Sequence, residues 1–228
     1  MVTSKEGNFF QLSDTDKQQL AEAWHVLTAR YCSDESLRTK RWIDLMRHYE
    51  ARGRHYHNGT HLVALLRWCA RYESALQRPE VVRLAIWFHD VIYRARRKDN
   101  ETRSAAYAAE TLAQLHLPPP LIVDAQSLIV ATQRHQNATF TEALLHDGNW
   151  FLDFDLAILG SRPEIYAAYA RAIRREYRWV PGLLFRQGRR QVLHSFQQRP
   201  QLYFTETMRA ELETPARQNL AAELAALA

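Results

Sequence analysis

Residues 79–93, PEVVRLAIWFHDVIY, contain the pattern on which the expected fold depends. Pro79 suits the first position of a helix, where its missing backbone N–H would have no intrahelical partner. The apolar run that follows predicts a helix buried at the centre of the molecule. His89 and Asp90 end this run, and polar groups at a buried position need a partner or a metal ion to offset their desolvation.

The rest of the chain has the same helical character. It has 228 residues, 46% of them hydrophobic, with only seven glycines and eight prolines. No stretch alternates polar and apolar residues for long enough to predict a strand. We therefore expect an all-α bundle of roughly nine to eleven helices in a single domain, residues 1–228. Residues 1–12 are expected to be a loose N-terminal arm, and residues 163–228 to be C-terminal helices packed on the core.

Cysteine content and charge narrow the class of protein. Only Cys32 and Cys69 are present, both within helical patterns, so a disulfide framework is not expected and a cytoplasmic location is. The N-terminus lacks the apolar stretch of a signal peptide, and no apolar run approaches the ~18 residues that span a membrane. The net charge of +5 comes mainly from arginine, which suits an anionic ligand, although an arginine-rich genome explains the bias at least as well.

A histidine cluster precedes the central helix, in HYHNGTHL, residues 55–62. His57 and His61 are four residues apart, so on a helix they share one face and can converge on one ion or substrate. Zinc proteases with the HExxH motif use this spacing, with a glutamate after the first histidine as the base. Asn58 occupies that position here, so a zinc protease is not expected.

A pair of carboxylates follows in FLDFDLAILG, residues 151–160. Asp153 and Asp155 interrupt an apolar stretch, and either could complete a ligand set of two histidines and two aspartates. Mixed nitrogen and oxygen ligation suits Mn, Fe, Zn, Co, Ni or Mg and does not distinguish among them. A second His-Asp dipeptide, His146-Asp147, precedes Gly148-Asn149, and we interpret it as an exposed helix end with a turn behind it.

One histidine, then His-Asp, then a distant aspartate resembles the signature of the HD-domain superfamily of metal-dependent phosphohydrolases. In this chain the signature is His61, His89-Asp90 and Asp155 or Asp153. The stretch YHNGTHL is also similar to the Tyr-His-Asn-x-x-His motif of cyclic nucleotide phosphodiesterases. Residues 15–225 resemble a family of bacterial predicted HD phosphohydrolases, through these motifs and through Asp99-Asn100-Glu101, Ala131-Thr132 with His135, and residues 216–220.

The resemblance implies an HD-domain-like bundle and one or two bound divalent ions. The implied metal ligands are His61, His89, Asp90 and Asp155, with Asp153 as the alternative to Asp155. His135 is a possible ligand of a second ion.

The resemblance also implies catalytic and substrate-binding roles. The catalytic candidates are His57 as the general acid, Asp90 as a bridge between ions, and Glu101 as a residue that orients water or binds the second ion. Cations beside the motifs could neutralise a phosphate, although each could equally be an ordinary solvated charge: Arg54, Arg94, Arg96, Arg97 and Lys98.

The leading functional hypothesis is hydrolysis of a small phosphorylated metabolite, with a nucleotide favoured. A catalytically silent helical scaffold that keeps the metal site is the main alternative. Nucleic-acid binding is less favoured, because the arginines form no recognisable nucleic-acid motif. A membrane partner is not expected, and a homodimer is possible. The aromatic, arginine-rich helix at residues 164–180 could be a dimer face or a lid over a pocket. Arg217 and Asn219 could pack the last helix or line the pocket.

Overall fold

The computed structural model describes residues 9–137 and 140–227, and all regular structure in these ranges is helical. This confirms the expected all-α class and number of helices, since the described ranges hold ten α-helices. Two 3₁₀ turns occur in addition, at residues 73–75 and 157–160. The helices are α1 Asp14–Thr28, α2 Glu35–Tyr49, α3 Gly59–Arg71, α4 Pro79–Phe88, α5 Asn100–Gln114, α6 Pro119–Ala131, α7 Glu142–Leu156, α8 Pro163–Glu176, α9 Gly182–Gln197 and α10 Glu206–Ala226.

Helix α4 is the centre of the bundle, as its apolar sequence predicts. Seven of its ten residues are buried, and α3, α5, α6 and α7 all pack against it. The ring of Trp87 contacts those of Trp24 and Trp42 edge-on, at centroid distances of 5.7 and 6.0 Å. Tyr49 donates a hydrogen bond to the carbonyl of Trp87, at 3.1 Å. The end of α4, and with it His89, is therefore held rigidly in the core.

Helix α7 corrects the interpretation of His146-Asp147. The helix runs without a break through Gly148-Asn149, where the sequence suggested a turn. The ring of Phe140 covers Gly148 so closely that a Cβ atom would overlap it, so packing explains this glycine. Asp147 is not at an exposed helix end: it is buried, and its carboxylate accepts hydrogen bonds from the backbone N–H groups of Gln77 and Arg78 at the start of α4.

The C-terminal helices pack on the same core. Helix α10 contacts α8, α9 and the 3₁₀ turn after α7, and it continues without a break through Pro215. Asn219 donates to the carbonyls of Leu159 and Ser161, both at 2.8 Å, which ties α10 to that turn. Arg217 donates to the carbonyls of residues 197, 199 and 200. Both side chains therefore make packing contacts.

The N-terminal part of the chain also contacts this body. Residues 1–8 of the predicted arm lie outside the described residues. The ring of Phe10 packs edge-on against Tyr56 at 5.4 Å, and its carbonyl accepts a hydrogen bond from Asn58. Within the described ranges, no helix has both the length and the apolar character required to cross a membrane.

Candidate metal centre

Three helix ends bring two histidines and two aspartates together. His61 lies in the first turn of α3, which begins where the Asn58 side chain accepts the N–H of Thr60 at 2.9 Å. His89 and Asp90 directly follow α4, and Asp155 lies in the last turn of α7. Because each residue is at a helix end in the packed core, the four side chains converge although 94 residues separate the first from the last.

The donor atoms are spaced as ligands of one ion would be. The two Nε2 atoms of His61 and His89 lie 3.1 Å apart. Asp155 Oδ1 lies 3.1 Å from His61 Nε2, and Asp90 Oδ2 lies 3.2 Å from His89 Nε2. Ligand atoms that surround a tetrahedral ion at about 2.0–2.1 Å are about 3.3 Å from one another. His61, His89 and Asp90 could therefore hold a metal ion, and the position of Asp155 fits the same centre.

Burial and hydrogen bonding orient these groups. His61 and His89 are only 3% and 1% exposed. The Nδ1 atom of His89 lies 2.9 Å from the carbonyl of Ile86, which fixes the ring with Nε2 toward the cluster. Burial lowers the pKa of His61, and this favours the neutral, ligating form of its imidazole. Burial opposes ionisation of Asp155, but hydrogen bonds from His135 and His61 outweigh it and lower the pKa of this carboxyl.

Asp155, not Asp153, reaches the two histidines. Residues two apart on a helix point in nearly opposite directions. Asp153 is fully buried on the other side of α7, where its carboxylate accepts the N–H groups of Phe204 and Thr205 and the hydroxyl of Thr205, at 2.7–2.8 Å. Its oxygens therefore hold the segment that leads into α10.

His135 and Glu101 border the cluster. The Nε2 atom of His135 lies 2.8 Å from Asp155 Oδ2. Its backbone φ of 48° lies in the left-handed region, which is uncommon for a residue with a side chain. Arg199 holds this conformation by donating to the carbonyls of His135 and Arg134. Glu101 lies in the first turn of α5, and partial burial raises the pKa of its carboxyl.

His57 is held by a residue that the sequence analysis missed, Glu176 at the end of α8. His57 Nδ1 lies 2.6 Å from Glu176 Oε2, and Tyr93 donates to the same oxygen at 2.9 Å. The other oxygen accepts the backbone N–H groups of His55, Tyr56 and His57, at 2.8–3.0 Å. Glu176 is the only acidic residue between positions 165 and 205, in an otherwise basic segment, and this isolation is a signal that sequence reasoning could have used.

The charges of this pair stabilise each other. Burial opposes ionisation of Glu176, but the nearby His57 and the backbone N–H groups outweigh it and lower the pKa of the carboxyl to about 2. Burial also disfavours a charged His57, but the carboxylates of Glu176 and Asp90 raise the pKa of its imidazole above the usual value. The rings of His57 and Tyr93 are stacked at 4.1 Å. His57 is thus a fixed imidazole with its Nδ1 atom paired to a buried carboxylate.

The cations proposed from the sequence occupy different environments. Arg54 donates to the carbonyls of His57, Asp90 and Val91, so its guanidinium supports the backbone of both motifs. Arg94, Arg96 and Lys98 are exposed and outside the cavity beside the cluster, and Arg96 lies over the ring of Trp179. Arg97 does line this cavity, with a bidentate salt bridge to Asp99.

The cavity has a volume of about 820 Å³ and opens beside the cluster. Its ionic end contains Asp90 and Asp155, with His57, Glu101 and His135 around them. Helices α8 and α9 form another part of the wall, to which α8 contributes Tyr169 and Ile173, and the residue directly after α8 is Tyr177. The aromatic helix at residues 164–180 is therefore part of a pocket wall.

Comparisons of the chain with protein-family models, with curated proteins and with solved structures give no match. The established properties of this site are therefore its geometry and chemistry: an all-helical bundle with a buried His/Asp cluster that could bind a metal ion.

Proposed function

We propose that this protein is a metal-dependent phosphohydrolase of the HD type that acts on a small phosphorylated metabolite. One observation carries the proposal. The spacing of His61, His89, Asp90 and Asp155 suits a divalent ion, and this set lies at the end of a cavity where a carboxylate-paired histidine also stands. Such a cavity is within the range of ordinary small-molecule sites, about 300–1,000 Å³, and has room for a nucleotide, the substrate favoured by the sequence.

His61, His89, Asp90 and Asp155 would hold one divalent ion, and His135 and Glu101 are the candidates for a second. When bound, such ions act as Lewis acids toward phosphoryl oxygens and acidify coordinated water. The carboxylate oxygens and imidazole nitrogens of this site suit Mn, Fe, Zn, Co, Ni or Mg.

His57 is the proton donor of the proposed mechanism. Its Nδ1 atom is paired with Glu176, which leaves Nε2 as the ring nitrogen that can deliver a proton to the departing oxygen. Glu176 stabilises the imidazolium before transfer and holds the ring in one orientation. Tyr93 restrains the ring further by stacking on it and by its own hydrogen bond to Glu176.

Arg199 is the best-placed cation for the phosphate. It lines the cavity beside His135, and no carboxylate pairs with its guanidinium in residues 9–137 and 140–227. Arg97, in contrast, is already paired with Asp99. Arg54, like Arg199, donates to backbone carbonyls, but it does not line the cavity. A half-buried guanidinium without a counter-charge favours an anionic ligand.

The test measures the metal content of the wild type and of variants, each purified without chelator. Asp153→Asn and Asp155→Asn form a matched pair, because each replaces a carboxylate by an amide of the same shape. We expect near-stoichiometric metal in the wild type and in Asp153→Asn, and its loss in His61→Ala, His89→Ala and Asp155→Asn. Circular dichroism checks that each variant folds. The loaded protein is then screened with phosphomonoesters and phosphodiesters.

Two results would contradict the proposal. A wild type that binds no metal, even when resupplied with each candidate ion, has no metal centre. Metal that stays bound in folded Asp155→Asn and His61→Ala lies elsewhere. A loaded protein that hydrolyses no phosphoester would favour the silent scaffold.

A further inference from the structure

Helix α9 is an unusual wall for the cavity. Among its 16 residues only Arg189 and Leu193 are buried. Leu184, Gly188 and Val192 all line the cavity, and their four-residue spacing places them in one row along a single face. The row is therefore an apolar stripe with a gap in its middle.

The gap is at Gly188, and no contact among the described residues explains why this position is a glycine. It lies inside a helix, where glycine is less favourable than alanine. It is not among the residues with positive φ, and a Cβ atom built on it meets nothing within 4 Å. Neither backbone conformation nor packing in the described part of the chain requires a glycine here, so its effect is to widen the cavity.

The walls near this gap are aromatic. The rings of Tyr177, directly after α8, and Phe185 on α9 lie 6.2 Å apart, and Tyr169 and Phe196 line the same cavity. Arg189 also lines it, but its Nε and Nη2 atoms donate to both oxygens of Glu223, at 2.8 and 2.9 Å. This pairing neutralises the guanidinium, so Arg189 itself is not available to bind a phosphate.

The apolar row is also accessible. Leu184 is 57% exposed and Val192 is 45% exposed, although both line the cavity. Exposed apolar side chains at the edge of a polar site gain from burial when an apolar ligand group covers them.

From the placement of the ionic cluster and of the apolar row in the cavity, and building on the proposed function, we infer that the substrate is a phosphoester of a bulky, flat, apolar alcohol, and not the nucleotide that the sequence favours. The phosphate lies at the His/Asp cluster, and the organic group lies in the gap at Gly188 between α8 and α9. Gly188 is then a residue that determines specificity, and small polar phosphoesters are poor ligands.

Two phosphonates that cannot be hydrolysed test this inference: 1-naphthylmethylphosphonate and methylphosphonate. Calorimetry measures their binding to protein loaded with the metal it carries when purified. We expect the naphthyl compound to bind at least about tenfold more tightly in the wild type, since even one methylene group can contribute that much. Gly188→Leu should abolish this preference and leave the affinity for methylphosphonate unchanged.

Gly182→Leu is the matched control, because Gly182 is on the same helix, has equally open space around it and does not line the cavity. It should keep the preference. Equal binding of both phosphonates by the wild type, or an unchanged preference in folded Gly188→Leu, overturns the inference but leaves the phosphohydrolase proposal standing. Protein that binds neither metal nor either phosphonate refutes both.

Discussion

The pairing of His57 with Glu176 makes a prediction that can be measured before any substrate is known. Glu176→Gln keeps the size and shape of the side chain but removes its charge. The amide oxygen can still accept the three backbone N–H groups of residues 55–57. The amide nitrogen then faces His57 Nδ1 as a donor, which disfavours a proton on that atom. A carboxylate at this distance raises the pKa of an imidazole by about 1–3 units, so we expect the pKa of His57 to fall by that amount.

The same substitution should change stability in a pH-dependent way. The pKa of Glu176 is lowered from 4.5 to about 2, a shift of about 2.5 units that corresponds to about 3 kcal/mol of stability. This contribution is complete above pH ~4.5 and disappears as the pH falls toward 2. The pKa of His57 is raised above 6.5, so its contribution is complete below 6.5 and is lost as the pH rises through the folded value. The difference between wild type and Glu176→Gln should therefore be largest near pH ~5–6.

The assays are urea denaturation of both proteins between pH 3 and 8, and NMR titration of the His57 ring. Glu164→Gln is the control, because Glu164 is on the same helix but exposed, in a surface salt bridge with Arg162. An unchanged pKa of His57 in Glu176→Gln, or a stability difference that does not vary with pH, would refute the reasoning. If the phosphohydrolase proposal holds, the alkaline limb of the pH–rate profile moves down by the same ~1–3 units. Activity should fall more for alkyl phosphoesters than for nitrophenyl ones, because nitrophenolate leaves without a proton.

Three further predictions concern the helix ends and the metal. Asp153→Ala leaves the N–H groups of Phe204 and Thr205 without their acceptor and should lower the free energy of unfolding by about 2–4 kcal/mol, as measured by denaturation. The metal content of this variant should not change. Asp147→Ala leaves the N–H groups of Gln77 and Arg78, just before α4, without their acceptor and should lower stability by about 1–3 kcal/mol. A smaller loss in urea denaturation would mean that other acceptors replace the carboxylate. Resupplying chelated protein with its metal at ~100 times the dissociation constant should add about 2.7 kcal/mol of stability, and an unchanged melting temperature would argue against a site formed only in the folded state.

Local sequence patterns predicted a helix correctly where the residues that determine it lie within one short stretch of the chain. Helix α4 was predictable because its apolar run, Pro79 and the terminal His89-Asp90 all lie within one short stretch. The start of α3 was not predicted correctly: the helix begins at Gly59, so His57 lies before it and does not share a helix face with His61. Patterns failed where packing between segments determines the structure. At Gly148 the sequence suggested a turn, but the glycine is required because the ring of Phe140 covers it.

The candidate site also combines residues that local motifs identify with residues that only contacts between distant segments reveal. The motifs identify His61, His89 and Asp90, but the choice between Asp153 and Asp155 depends on which side of α7 receives the segment before α10, a contact 51 residues away. Glu176 lies 119 residues from His57, and no local pattern links them. Arg54 was a natural phosphate candidate by position, yet the carbonyl groups around it are visible only in the folded chain.

The position of Glu176 in the chain has a consequence for biosynthesis. All four donors of the cluster have been synthesised once residue 155 is added, whereas Glu176 follows twenty-one residues later, at the end of a different helix. A nascent or cleaved chain that ends between these points contains every metal donor but lacks the residue that holds the imidazole of His57. Premature termination there would thus leave a chain that contains the His/Asp residues of the cluster but lacks the carboxylate partner of His57.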